Sequence, residues 1–209
     1  MSELVDVAAL YVETGGCYFG LPGVDPWDAE RDATKYAGPH PVVAHPPCAR
    51  WCRLAGLVEA RWGYRRGEDG GMFASALAAV RRWGGVLEHP AYSDAWPAHG
   101  LNAPPTGGHC WVAADPVGGW TTYVEQGRYG HVAKKATWLY ACGVDLPRLR
   151  WGSELDAESR AGVSWCGNQT SAFGTRPRVG NRAAATPLEF REVLLRIARS
   201  AGRREGAGL

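Results

Sequence analysis

Cys48 stands in the segment PVVAHPPCARWC (41–52), where a short apolar run meets two consecutive prolines. Pro41–Ala44 has the β-branched, apolar character of a strand covered on both faces. Pro46 and Pro47 then fix φ, remove two backbone donors and bar the chain from turning helical at once. A cysteine on such an elbow sits at a strand's C-terminal end, where open α/β sheets place their ligands and chemistry. That chemistry is nucleophilic attack by a thiolate, provided the surroundings activate the thiol. The plain alternative is a small packed thiol.

Glu88 is delivered in the same way, at the end of the apolar run that opens VLEHP (86–90). It reads either as an acid or as a strand-end carboxylate paired with an arginine. His45 and His89 flank these two residues, where they can orient neighbours, act as acid and base, or serve structure alone. The spacing His45-x2-Cys48-x3-Cys52, with His40 nearby, has zinc-type donors but matches no paired zinc template, so no metal is assigned.

The elements that must position these groups follow from pattern. Ala8–Val12 reads as a first buried strand ending in the turn Thr14-Gly15-Gly16. The region Tyr18–Pro39 reads as irregular with one helical turn. Arg53–Gly70 reads as a mobile loop. Met72, Phe73, Ala76, Leu77 and Val80 recur at helical spacing, which predicts a helix over Gly71–Trp83, stopped by Gly84-Gly85. Tyr92–Val117 reads as loop. Trp120–Gln126 and Thr137–Tyr140 are the next strands, separated by the basic turn Arg128–Lys135. A last helix follows Thr186 as cap, with Pro187 in the first helical position, Glu189 closing a capping box and Leu188, Val193, Leu194 and Ile197 as its buried stripe. No repeat and no linker appears, so the expectation is one α/β domain over 1–200 with a basic, disordered tail at 201–209.

The 209 residues suffice for one such domain with a real core. A formal charge of +2 does not by itself make a nucleic-acid binder. The basic residues are clustered, however: Arg50, Arg53, Arg61, Arg65 and Arg66 follow the elbow, and Arg196, Arg199, Arg203 and Arg204 crowd the end. Either cluster can line a phosphate track or form a solvated surface. Six cysteines without a basic, apolar leader favour free thiols in a reducing cytosol over a secreted scaffold. No apolar run approaches a membrane span. Ten tryptophans among 28 glycines and 14 prolines describe long loops with aromatic anchors.

Taken in order, the fragments ETGGCYFG, HPPC, LEHP, EQGRYGH with KKATWLY, and VGNRAAATP resemble the motifs of the cytosine-C5 DNA methyltransferases, especially short phage-type members. The resemblance implies a Rossmann-like domain with a mostly parallel, reduced sheet. It places Cys48 as the nucleophile, Glu88 as the acid that engages the base, and Gln126 and Arg128 in the Gln-x-Arg motif. It also implies S-adenosylmethionine as cofactor, contacted by Thr14, Gly15, Gly16, Asp25 or Asp28, Pro47 and, through Gly180-Asn181, Asn181. Arg50, Arg53, Arg65, Arg66, Lys134 and Lys135 would then meet DNA, single-stranded or with its target base flipped out, or a pyrimidine nucleotide.

The chemistry suits these residue types. Cytosine C5 is a poor nucleophile until a thiolate adds at C6. A carboxylic acid near N3 stabilises the charge that this addition pushes into the ring, and an arginine can hold base or phosphate bidentately. The chain departs from the family in three places. The stretch between Gly16 and Pro46 is short for a full cofactor domain, His89 replaces the asparagine after the motif glutamate, and Leu149–Val179 is short for a target-recognition domain. These departures leave four hypotheses: a minimal methyltransferase, alone or with a separate specificity protein; a C5/C6 pyrimidine enzyme without S-adenosylmethionine; a non-catalytic nucleic-acid-binding descendant; and an unrelated Cys/His metal protein.

Overall fold

The computed structural model describes residues 6–52, 55–63, 65–151 and 185–201. One sheet contains seven strands: β1 (Val7–Leu10), β2 (Val24–Trp27), β3 (Val42–Ala44), β4 (Gly85–Pro90), β5 (Val112–Ala113), β6 (Trp120–Glu125) and β7 (Ala136–Cys142). Their spatial order is β2-β1-β3-β4-β7-β6-β5. β2, β1, β3 and β4 are mutually parallel, whereas β7 runs antiparallel to both β4 and β6. The α/β expectation therefore holds, but the sheet is mixed rather than mostly parallel. A parallel neighbour needs a long crossover, and the 126–135 connection is a short return that lays β7 antiparallel beside β6.

Among the described residues, four α-helices accompany the sheet: α1 (Ala55–Trp62), α2 (Met72–Trp83), α3 (Ala95–Ala98) and α4 (Leu188–Arg199). β1 and β3 are buried along their whole length, as their unbroken apolar runs predict. Ala8 and Leu10 join the core on the side of α2, with Phe73, Ala76 and Val80. Val7 and Ala9 join the opposite core, with Phe190, Leu194 and Ile197 of α4. Two helices thus clamp the central parallel strands and leave their C-terminal ends as one continuous edge.

Several sequence boundaries move. β2 lies in the region expected to be irregular; it is an edge strand, where Pro26 removes no needed donor. α1 replaces part of the expected loop at 53–70, and α3 and β5 lie in the expected loop at 92–117. In α4 the cap position is Pro187 with no side-chain cap bond, so Thr186 does not cap, and Leu188 is 62% exposed rather than buried. Of the expected tail at 201–209, residues 202–209 lie outside the described residues. No helix among the described residues is long and apolar enough to cross a membrane.

Gly85 opens β4 with φ at +135°, and a Cβ there would lie 2.0 Å from the Val42 carbonyl oxygen. Both the backbone angle and the β3–β4 contact require glycine. Gly85→Ala is expected to cost at least about 3 kcal/mol in urea-induced unfolding. A loss below about 1 kcal/mol would show that the two strands part readily, and with them the residues they carry.

Candidate active site

The strand order reverses between β1 and β3, because the chain leaves β1 for β2 on one side and returns to β3 on the other. Such a reversal opens a crevice beyond the C-terminal ends of the strands. β1 delivers the turn at Thr14-Gly15-Gly16 to this edge, β3 delivers His45 and Cys48, and β4 delivers Glu88 and His89. β6 runs parallel to β4, so Gln126 and Arg128, in the 3-10 turn Gln126–Tyr129, reach the same edge. β7 runs the other way and brings Lys135 and Thr137 there at its start. Residues from five separate segments therefore converge.

The convergence is hydrogen-bonded. His45 Nδ1 lies 3.0 Å from Glu88 Oε2, and its Nε2 lies 2.8 Å from the hydroxyl of buried Tyr18. Gln126 Nε2 donates to Glu88 Oε1 at 2.8 Å and to Thr137 Oγ1 at 3.0 Å. Gln126 is fully buried, and its Oε1 has no partner among the described residues. The elbow itself is tied down from below. The Cys48 carbonyl accepts from the Trp51 and Cys52 amides, each at 2.9 Å. The Trp51 indole donates to Asp69 at 2.8 Å, and Asp69 in turn accepts the Gly71 and Phe73 amides at the start of α2. His89 packs edge-on against Phe73, with ring centroids 5.2 Å apart. Burial holds His89 neutral, pushed down to about 4 against the opposing pull of the Glu88 carboxylate and the Pro47 carbonyl.

Charge within the cluster is uneven. Burial alone would raise the Glu88 carboxyl, but the His45 hydrogen bond and the nearby Lys135 charge outweigh it and bring it down to about 2. The Cys48 thiol goes the other way, pushed up to about 11 by burial and by the neighbouring Cys52 and Glu88, against a smaller opposing effect of Lys135. Lys135 is buried, and its ammonium donates to the Ala185 carbonyl at 3.0 Å. Burial lowers its pKa, opposed by Glu88, Cys48 and Cys17. Burial and its neighbours Cys52 and Glu88 thus favour the protonated thiol of Cys48. Its alkylation by iodoacetamide, followed by peptide mass mapping, is expected to rise roughly tenfold per pH unit between about pH 7 and pH 9 without a plateau. A plateau in that range would show a thiolate already formed in the free protein.

The residues expected to contact S-adenosylmethionine are spread around the β1 and β2 ends. Gly15, at φ +69°, faces open space, while a Cβ on Gly16 would meet the Glu13 carbonyl at 2.8 Å. Thr14 donates to Asp28 Oδ2 at 2.7 Å, and Asp28 Oδ1 accepts the Glu30 and Arg31 amides. Asp25 is engaged by the Trp27 indole at 2.7 Å and by Arg31. The glycine turn and an acidic strand end are in place, but both carboxylates are held by internal partners. The described residues alone do not complete an adenosine pocket. Pro47 is exposed beside Cys48, and Asn181 lies outside the described residues.

The expected nucleic-acid residues divide. Arg65 and Arg66 are exposed, paired with Glu68 and Asp94 respectively, and Arg50 is half-buried. Lys134 is exposed and meets Glu125 at 2.8 Å. Lys135 departs from the expectation: it turns inward because the strained backbone at φ +39° sends it under the β7 start rather than to the surface. Arg53 lies outside the described residues. Arg128 is half-buried and borders a recess of about 430 Å³ lined by His109, Arg148, Leu149, Arg150 and Trp151 as well. Cys17, Cys48, Cys52, Cys110 and Cys142 are free. Among the described residues, no three His, Cys, Asp or Glu side chains gather as a metal ion requires.

Tyr18, Thr137 and the inward Lys135 are the members of the cluster that sequence reasoning missed. The signals were Tyr18 inside ETGGCYFG, just after the glycine turn, and Lys135 and Thr137 inside KKATWLY. No family model matches the chain, and neither a curated protein nor a solved structure matches it.

Proposed function

We propose that this chain is a pyrimidine-modifying enzyme in which Cys48 adds to C6 of a cytosine in DNA while Glu88 engages the N3 edge. The observation that carries this reading is the delivery of Cys48, Glu88 and Gln126 from β3, β4 and β6 to one edge, with Glu88 fixed by His45 and Gln126. Four parallel strands that reverse direction of travel between β1 and β3 support the Rossmann-like reading of the fold. Asp28, just after β2, supplies an acidic strand terminus within the short stretch between Gly16 and Pro46.

In the proposed reaction the Cys48 thiol gives its proton to water as its sulfur bonds to C6, and the C5=C6 electron pair moves into the ring, where N3 gains a proton from Glu88. The resulting enamine attacks an electrophilic one-carbon donor through C5. Loss of the C5 proton to water then returns its electron pair to C5=C6 and expels the Cys48 thiolate, while N3 gives its proton back to Glu88. Glu88 acts where negative charge develops, and Arg128 with Arg148 and Arg150 offers cations for a phosphate at the rim. Methylation of cytosine is the outcome that the family resemblance implies, with S-adenosylmethionine as donor.

The internal commitment of Asp25 and Asp28 favours a second reading, in which the Cys48/Glu88 pair is retained and the C5 substituent comes from another donor. Nucleoside mass spectrometry of DNA from cells expressing the protein distinguishes the two. A gain of one methyl on cytosine supports methyl transfer, and a different cysteine-dependent mass change names the other chemistry. Unchanged nucleosides, together with no covalent adduct to 5-fluorocytosine DNA, would overturn both and leave a binding protein.

A further inference from the structure

Both ring nitrogens of His45 are committed, and their partners restrict where its protons can be. The ionised Glu88 carboxylate only accepts, so Nδ1, at 3.0 Å from Oε2, carries a proton. The Tyr18 hydroxyl, at 2.8 Å from Nε2, can donate to a bare nitrogen or accept from a protonated one. His45 can therefore exist as the neutral ring or the cation without moving a heavy atom. The side chains of His45 and Glu88 are only 13% and 10% exposed, so water competes little for either. The β3–β4 register, with Ala44 opposite Leu87, sets the next residues His45 and Glu88 side by side.

This matters because the proposed reaction asks Glu88 for a proton that it does not hold in the free protein. We infer that His45 is the proton reservoir of Glu88, passing its Nδ1 proton to Oε2 as Cys48 adds to the pyrimidine and recovering it when the thiolate leaves. The inference rests on the pyrimidine-addition reading. Starting from the cation, the imidazole becomes neutral with its remaining proton on Nε2, donating to the Tyr18 oxygen, while Glu88 becomes the neutral acid that shares its proton with N3 of the pyrimidine. The reverse transfer closes the cycle, so no external acid is consumed. His45 acts through Glu88 and is a positioning residue. The other ionisable groups bearing on the pair are Lys135 before β7, His89 on β4 and Cys48 on the elbow, with Cys17, Arg191 and Glu192 around Tyr18.

The test follows the rate of covalent adduct formation with an oligonucleotide containing 5-fluorocytosine, with and without S-adenosylmethionine, across a range of pH. His45→Gln keeps an amide donor for Oε2 but cannot give up a proton. It is expected to slow adduct formation by about 10²-fold and to flatten the acidic side of the pH profile. Its oligonucleotide dissociation constant should stay within about threefold of wild type. Tyr18→Phe, which removes only the outer hydroxyl, serves if His45→Gln does not fold; it is expected to shift the same pH profile with a smaller rate loss. A wild-type rate and profile in His45→Gln, or parallel losses of rate and affinity, would overturn the reservoir. With neither variant folded, an adduct rate independent of pH in the wild type would do so. Failure of the wild type to form any adduct is a separate result, since it removes the underlying reaction.

Discussion

Cys48→Ser is expected to abolish cysteine-dependent base modification, with a rate loss on the order of 10⁴-fold or more, while the protein still folds. A serine hydroxyl is a far weaker nucleophile than a thiolate, and no other described cysteine sits on the rigid Pro46–Pro47 elbow. Cys17 lies across the crevice on the β1 turn, and Cys52 directs its sulfur towards the Ala49 carbonyl. The fold should tolerate the change because Cys48 is only partly buried, and because the elbow is held by the Cys48 carbonyl and by Trp51 rather than by the sulfur. The thermal midpoint should therefore move little, corresponding to under about 1 kcal/mol. Nucleoside mass spectrometry on DNA from cells expressing each form reads the chemical effect. Modification surviving in Cys48→Ser would remove the nucleophile from the mechanism, whatever the rest of the site does.

How much of this was legible beforehand depended on whether the signal was local. The Pro46–Pro47 elbow and the apolar run before it are local, and β3 delivers Cys48 as that pattern requires. Glu88 followed for the same reason, as the polar residue ending an apolar run. The pairing of β4 with an antiparallel β7 was not legible, since it depends on how a short return packs after both strands exist. β2 was hidden because VDPW combines proline with aspartate, residues that a central strand rejects and an edge strand tolerates. Tyr18 and Lys135 lie inside ETGGCYFG and KKATWLY, but nothing local in either fragment says that the side chain turns inward. One is buried by the fold of the β1–β2 connection over His45, and the other by a single positive-φ residue before β7. The capping reading of 186–189 failed for a different reason, because Pro187 takes an extended ψ of 144° and occupies the cap position itself.

Glu88→Gln should show the second largest effect, and its two faces explain why. The carboxylate accepts from His45 Nδ1 on one oxygen and from Gln126 Nε2 on the other, so both positions need an acceptor. An amide supplies one acceptor and one donor, so its NH₂ can face His45 only if that ring carries its proton on Nε2, towards the Tyr18 oxygen. Losing the charge-assisted bonds and imposing that tautomer is expected to cost about 1–3 kcal/mol of stability. The substituted site also cannot carry a proton to the ring, so the rate of adduct formation should fall by about 10³-fold. Affinity for the oligonucleotide should change much less, because the rim arginines are untouched. The acid limb of stability provides an independent sign. Burial opposes ionisation of Glu88, yet His45 and Lys135 depress it to about 2 in the folded protein, below the unfolded value of about 4.3. Its contribution is therefore complete above the unfolded value and is lost as pH falls through the folded one. Urea midpoints of the wild type should drop more steeply than those of Glu88→Gln between about pH 4.5 and pH 2. Parallel curves would mean that Glu88 is not held ionised by its neighbours. Equal losses of rate and affinity would reduce it to a contact, leaving Cys48 without a partner for the charge that its addition creates.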